Sequence, residues 1–300
     1  MRSHTNPFLH WLSLTLICAF ALASADALTK RALPDRDVRE LTLVRFTVPG
    51  VLLLPWLLAH PLPAFPVAFW LWMAALLPAE IVAMLLYQRA IRDHPLALTV
   101  PYLAFTPGLV AVIGWVVLGE TVSATGLGGI LLIVFGGWLL NIRRTVGDGF
   151  WRQVAAPLAV VWQNPGSRQM LGVAVIYAFT AVGGKHAMAY ATPETFGALY
   201  FALLGLLTLL VFGMTNPTRL NVIPERPLAV LGIGALMAVM VVTHFLAISM
   251  VEAAYMIAVK RTSLLFGILY GALLFREANL GRNLVAGTLM VAGVALVAVG

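Results

Sequence analysis

Residues 96–118 read LALTVPYLAFTPGLVAVIGWVVL, and residues 253–275 read AAYMIAVKRTSLLFGILYGALLF. Each run is long and apolar enough to cross a hydrocarbon core about 30 Å thick, which takes about 20 residues. A shift of 157 places lays the second run on the first, pairing Gly114 with Gly271, and Glu120 just beyond the first run with Glu277. The match extends without gaps over Ala90–Leu140 against Ala247–Val297, through Ala90-Ile91 with Ala247-Ile248 and Gly136 with Gly293. A shift of 155 aligns earlier parts, Lys30 with Lys185 and Arg45-Phe46 with Tyr200-Phe201. Single identities between apolar helices arise by chance. Their common order and register point to an internal repeat.

Reading outward from these runs gives ten apolar segments. They are Phe8–Leu28, Leu41–Leu58, Val67–Tyr87, Leu96–Leu118, Ala124–Leu140, Met170–Met188, Phe196–Phe212, Leu228–Ser249, Ala253–Phe275 and Leu284–Val299. The expected fold is an all-α integral membrane protein of about ten transmembrane helices in two inverted five-helix repeats. Five spans per copy is an odd number, so the second copy enters the membrane from the opposite side. The boundaries are 1–142 for the first repeat, 143–168 for a linker and 169–300 for the second. Within the linker region, Val154–Trp162 is apolar enough to lie along the membrane surface.

Composition agrees. Of 300 residues, 61% are hydrophobic and 10% charged, too few charges to cover a water-soluble surface of this size. The net charge of +7 is spread over short loops, with no basic run or aromatic-basic interleaving, which excludes a nucleic-acid partner. Cys18 is the single cysteine, so neither an internal disulfide nor a cysteine metal cluster can form. Arg2, the run Phe8–Leu22 and Ala23-Ser24-Ala25 have the form of a secretory signal. The repeat requires that segment as a permanent first helix, and that is the expectation.

Lys30, Arg45-Phe46 and the repeated Gly114–Glu120 and Gly271–Glu277 spacing resemble the drug/metabolite transporter superfamily, in particular its EamA-like ten-helix transporters. The resemblance covers nearly the whole chain. It implies a proton-coupled or exchange transporter whose cavity lies between the two five-helix halves. Orientation is in conflict. Arginines concentrate in the odd-numbered loops, which the positive-inside rule makes cytoplasmic and which places both termini outside. Members of the resembled family have both termini inside.

Ionisable residues within spans are costly, about 2.5–3.5 kcal/mol at the bilayer centre on insertion scales, and so mark candidate sites. Lys260 and Arg261 lie deep in the ninth run; on a continuous helix Met256, Lys260, Ser263, Gly267 and Tyr270 share a face. The alternative is a structural ion pair with Glu80 or Asp26. The pair also resembles the phosphate-binding Lys-Arg of plastid sugar-phosphate translocators. Lys185 and His186 end the sixth run, where a lysine can also snorkel to the interface. His244 is a ligand candidate or a packed, hydrogen-bonded ring. Asp26 and Lys30 have the spacing of a helix ion pair, and Arg45 could join them. Tyr102, Trp115, Tyr177, Tyr200, Tyr255 and Tyr270 are aromatic residues that could line the same cavity. Glu80 lies near mid-span, where desolvation would suit proton coupling and adjacent cations would make it a counter-ion; Asp26 is the second proton-coupling candidate. Glu120 and Glu277, at span ends, read as capping or loop contacts.

Cations outnumber anions within the spans, so the expected substrate is a small metabolite, anionic or carboxylate-bearing. The runner-up functions are a flippase for an anionic lipid-linked carrier and an exporter of amino acids or drugs. No nucleophile-base or metal-ligand motif appears in the spans, so no enzyme activity, catalytic residue, metal or cofactor is expected. The expected partners are the small-molecule substrate and membrane lipid, with a homodimer left open, and the expected location is the bacterial cytoplasmic membrane.

Overall fold

The computed structural model describes residues 7–94, 100–140, 161, 164–275 and 280–299. The expected linker 143–168 falls largely outside them, as does Glu277. The long elements are α1 (Pro7–Ala32), α2 (Val38–Ala59), α3 (Val67–Asp93), α4 (Thr106–Leu118), α5 (Ala124–Leu140), α6 (Pro165–Ala187), α7 (Pro193–Thr208), α8 (Pro227–Ile248), α9 (Ala253–Lys260), α10 (Ser263–Phe275) and α11 (Leu280–Val299). Six described helical stretches are long and apolar enough to cross a membrane, and three shorter apolar helices accompany them. In lipid a helix satisfies its own backbone groups, which is why apolar runs of this length become helices.

Two expected spans differ from single helices. The fourth begins as the 3-10 helix Val100–Phe105 before α4, because Pro107 fits the first turn of α4 but cannot continue an α-helix from upstream. The expected ninth span, Ala253–Phe275, is corrected: it is broken between α9 and α10. Arg261 N–H bonds back three residues to the Ala258 carbonyl and Leu265 N–H to the Thr262 carbonyl, the tight pattern of a helix end followed by a new start. Neither glycine nor proline marks the break.

The chain resolves into two compact units, each drawing on both sequence halves. The first comprises residues 1–81, 183–251 and 262–276. Its core is the crossing of α2 and α7. A Cβ on Gly50 would lie 2.6 Å from the Phe201 carbonyl oxygen, and one on Gly205 would lie 3.0 Å from the Phe46 carbonyl oxygen. Without a hydrophobic force between helices in lipid, such close backbone approach supplies the packing energy. Phe46 and Phe201 meet edge to face at 5.8 Å, and Phe196 meets Phe245 at 5.0 Å. The helix α7 ends in the π-turn Leu209–Gly213, whose Phe212 carbonyl is capped by the Arg219 guanidinium at 3.1 Å.

The second unit comprises residues 82–182, 252–261 and 277–300. Here α5 crosses α11. A Cβ on Gly129 would lie 2.6 Å from the Gly293 carbonyl oxygen, one on Gly293 equally close to that of Gly129, and one on Gly136 2.8 Å from the Ala286 carbonyl oxygen. Gly119 ends α4 in the left-handed conformation at φ +69°. That lets the Glu120 N–H reach back to the Gly114 carbonyl at 3.2 Å. The Glu120 carboxylate folds over Gly114, 3.3 Å from where a Cβ would stand, and accepts the Ala253 N–H at 2.8 Å. The Gly-x5-Glu spacing is therefore a helix stop whose acid caps the start of α9.

Candidate functional site

The ten candidate residues divide between the units. Asp26, Lys30, Arg45, Glu80, Lys185, His186 and His244 belong to the first, and Tyr255, Lys260 and Arg261 to the second.

In the first unit, α1 carries Asp26 and α2 carries Arg45, which donates to the Asp26 carboxylate. Arg45 is 3% exposed and Asp26 38%, so the pair joins the two helices with the cation inside. Lys30, one turn beyond Asp26, is exposed. Lys185, at the end of α6, donates to the Val251 carbonyl in the loop after α8, which gives that loop acceptor a charged donor. The His186 ring lies 5.1 Å from Trp72, and that of His244 4.9 Å from Phe245, so both histidines sit among aromatic side chains. Glu80 is half-buried on α3, two residues after the in-helix Pro78.

In the second unit, Tyr255 is 5% exposed and packed against Gly126. Its hydroxyl accepts the Ser123 N–H at 2.9 Å and donates to Ser123 Oγ at 3.2 Å. Together with the Glu120 cap, this fastens the start of α9 to the loop after α4. Seven consecutive residues of α9, Ala253–Val259, are buried, and the half-buried Lys260 and Arg261 follow at its end. Arg261 Nε is sealed from solvent without a hydrogen-bond acceptor. Among the described residues no carboxylate lies within 4.0 Å of its guanidinium.

Other aromatic cavity candidates have structural partners. Tyr102 is buried against Trp138 at 5.7 Å, Tyr200 donates to the Leu76 carbonyl at 3.4 Å, and the Tyr270 hydroxyl bonds to Ser24 Oγ at 2.6 Å. Among the described residues no three His, Cys, Asp or Glu side chains cluster closely enough to hold a metal ion.

The family model for EamA-like transporters matches the chain twice, over residues 9–142 and 165–299. No curated protein matches it. Among solved structures, 28 chains match. One protein crystal structure aligns over 98% of this chain and 96% of its own length, with a TM-score of 0.71 at 19% identity; at that identity the likeness is one of fold.

Proposed function

Because the chain belongs to the EamA-like transporter family, a family of membrane transporters of small molecules, we propose that it is a secondary transporter that carries a small anionic metabolite by alternating access. The observation that carries the anionic reading is Arg261. Arg45 is paired with Asp26, and Lys185 donates to a backbone carbonyl. Arg261 ends α9 with a sealed Nε that lacks an acceptor and with no carboxylate within reach among the described residues. A half-buried guanidinium with a sealed, unmatched Nε and no counter-ion is costly, and a substrate anion that completes it turns that cost into binding energy. Lys260, its chain neighbour, adds to the positive potential.

The mechanism rests on ten spans in two inverted repeats, in which the broken path α9–α10 is the ninth. The reciprocal crossings support this. At a shift of 155, Gly50 corresponds to Gly205 and Phe46 to Phe201; Gly50 meets Phe201 and Gly205 meets Phe46. At a shift of 157, Gly136 corresponds to Gly293 and Gly129 to Ala286; Gly129 meets Gly293 and Gly136 meets Ala286. Contacts that exchange in this way are the mark of a two-fold relation. Discontinuous helices build the substrate sites of inverted-repeat transporters, and this one carries Lys260 and Arg261 at its break. Glu80 is the proton-coupling candidate on α3.

Counterflow in proteoliposomes tests the reading, with a labelled panel of organic acids, sugar phosphates, amino acids and cationic drugs. Exchange of anions that Arg261→Gln abolishes is the expected result. Exchange confined to neutral or cationic compounds would overturn the anionic assignment.

A further inference from the structure

Resting on that reading, we infer that the Thr262 hydroxyl is a specificity-determining donor that seats an oxyanion of the substrate, carboxylate or phosphate, on the first turn of α10. The Thr262 carbonyl accepts the Leu265 N–H at 2.9 Å and the Phe266 N–H at 3.3 Å. Those are the opening bonds of α10, which makes Thr262 its N-cap. A threonine there ordinarily turns its hydroxyl onto the second or third N–H of the helix, as Thr192 does at the start of α7 by accepting the Thr195 N–H. Thr262 does not. Leu265, the third residue, is committed to the Thr262 carbonyl, and Thr262 Oγ1 is sealed without a hydrogen-bond partner in a residue only 5% exposed. Other buried threonines of the same unit, Thr15, Thr29, Thr42 and Thr208, each donate to the carbonyl four residues back. A buried hydroxyl left unmatched costs stability, so its retention at a helix start calls for a ligand.

The place of the hydroxyl selects the ligand. The N–H groups of Ser263 and Leu264 open α10, where no earlier turn of that helix can accept them, and they carry partial positive charge. Both residues are half-buried, held by the fold yet open to a small molecule. A hydroxyl offers one proton, and beside such N–H groups that proton meets an acceptor oxygen of an anion, whereas a cation would be repelled by the positive end of the helix. The turn is also held in place. Phe266 meets Phe20 of α1 edge to face at 5.4 Å, and the Tyr270 hydroxyl bonds to Ser24 Oγ of α1 at 2.6 Å. The start of a half-helix is the part that inverted-repeat transporters aim at anionic substrate groups. Charge balance stays with Arg261, the preceding residue in the chain; the hydroxyl cannot neutralise an anion, and it orients one.

The test is counterflow in proteoliposomes with labelled succinate, lactate, glucose 6-phosphate and inorganic phosphate, for the wild type, Thr262→Val, Thr262→Ser and Arg261→Gln. The first two compounds against the last two tell which oxyanion source is taken. Valine has the shape of threonine but no proton to donate. It should raise the KM of the exchanged anion about tenfold, the loss of one hydrogen bond to a charged group, with a smaller change in Vmax. Serine should recover most of the affinity. Melting of the detergent-purified protein separates a ligand donor from a structural one. Without anion, Thr262→Val should melt at or above the wild-type temperature, since no bond is lost and an unmatched hydroxyl is removed. The exchanged anion should raise the Tm of the wild type and of Thr262→Ser, and that of Thr262→Val much less. A lower Tm for the valine variant without anion would make the hydroxyl a structural group and overturn the seat. An unchanged KM in that variant, with exchange still abolished by Arg261→Gln, would overturn the seat and leave the anion transporter standing. Absence of any anion exchange by the wild type would overturn the broader reading and this one with it.

Discussion

The Glu120 carboxylate accepts the backbone N–H of Ala253 at 2.8 Å, a contact between residues 133 places apart in the chain. Glu120 lies just beyond the end of α4 and Ala253 is the first residue of α9, so one acid both closes a helix stop and caps a helix start. A carboxylate suits the position because the first N–H groups of a helix lack internal partners and carry partial positive charge. The Tyr255 hydroxyl on Ser123 reinforces the same junction.

Glu120→Ala should therefore lower stability by about 1 kcal/mol, the usual loss for a helix cap, while Glu120→Gln, which keeps an acceptor, should lose less. Thermal unfolding in detergent ranks the three proteins; an alanine variant as stable as wild type would show the cap to be dispensable.

Gly128 and Gly129 give a contrast between chain neighbours. A Cβ on Gly129 meets the Gly293 carbonyl oxygen at 2.6 Å, and the nearest atoms include backbone that cannot swing away. Gly129→Ala should cost about 1–3 kcal/mol by overpacking. Nothing lies within 4 Å of a Cβ on Gly128, so Gly128→Ala should be neutral or stabilising by up to about 1 kcal/mol through helix propensity. Equal melting temperatures for the two variants would contradict the close α5–α11 crossing.

Removing Asp26 strands the Arg45 charge at a site where it is 3% exposed. Asp26→Asn should destabilise by about 2–3 kcal/mol, below the loss for a fully buried pair because Asp26 is 38% exposed. Arg45→Met in the Asp26→Asn background should restore much of that loss, since an apolar replacement removes the stranded charge. Tm of the single and double variants decides the matter: no recovery in the double variant would show that the arginine matters for more than charge balance.

Arg36, in the loop between α1 and α2, bonds to Glu225 and lies 3.8 Å from Glu40. The Glu225 hydrogen bond raises its already high pKa. A raised pKa contributes stability that is present below the unfolded value and lost only as pH climbs through the folded one. That window lies above ordinary working pH, so this arginine should introduce no step in stability between about pH 6 and 9. Glu225→Gln at physiological salt should leave Tm nearly unchanged, as is usual for exposed pairs; a large drop would make this loop a structural clasp.

The helical class, the membrane solvent and the family were legible because hydrophobicity is a local property, and Phe8–Leu28 or Leu228–Ser249 declares itself regardless of its neighbours. The repeat was legible for a related reason. Close helix crossings tolerate only small side chains, and Gly136 and Gly293 keep that requirement at equal spacing. The capping reading of Glu120 also followed from its position after a glycine-bearing helix end.

What a side chain meets across the bundle was beyond the sequence. Asp26 sits four residues from Lys30, the spacing of a local pair, yet Arg45 from the next helix reaches it, because a buried guanidinium gains more from a counter-ion than an exposed ammonium does. Lys185 read as a ligand candidate and donates to the Val251 carbonyl. Tyr255 read as cavity lining and is held by Ser123. The break between Lys260 and Ser263 carries no glycine or proline to announce it. Composition and periodicity thus determined that this chain crosses a membrane as repeated helices, since both follow from the transfer of each segment into lipid. Tertiary structure alone decided which charges are matched and left Arg261 without a carboxylate partner among the described residues, since pairing depends on distances between helices remote in sequence.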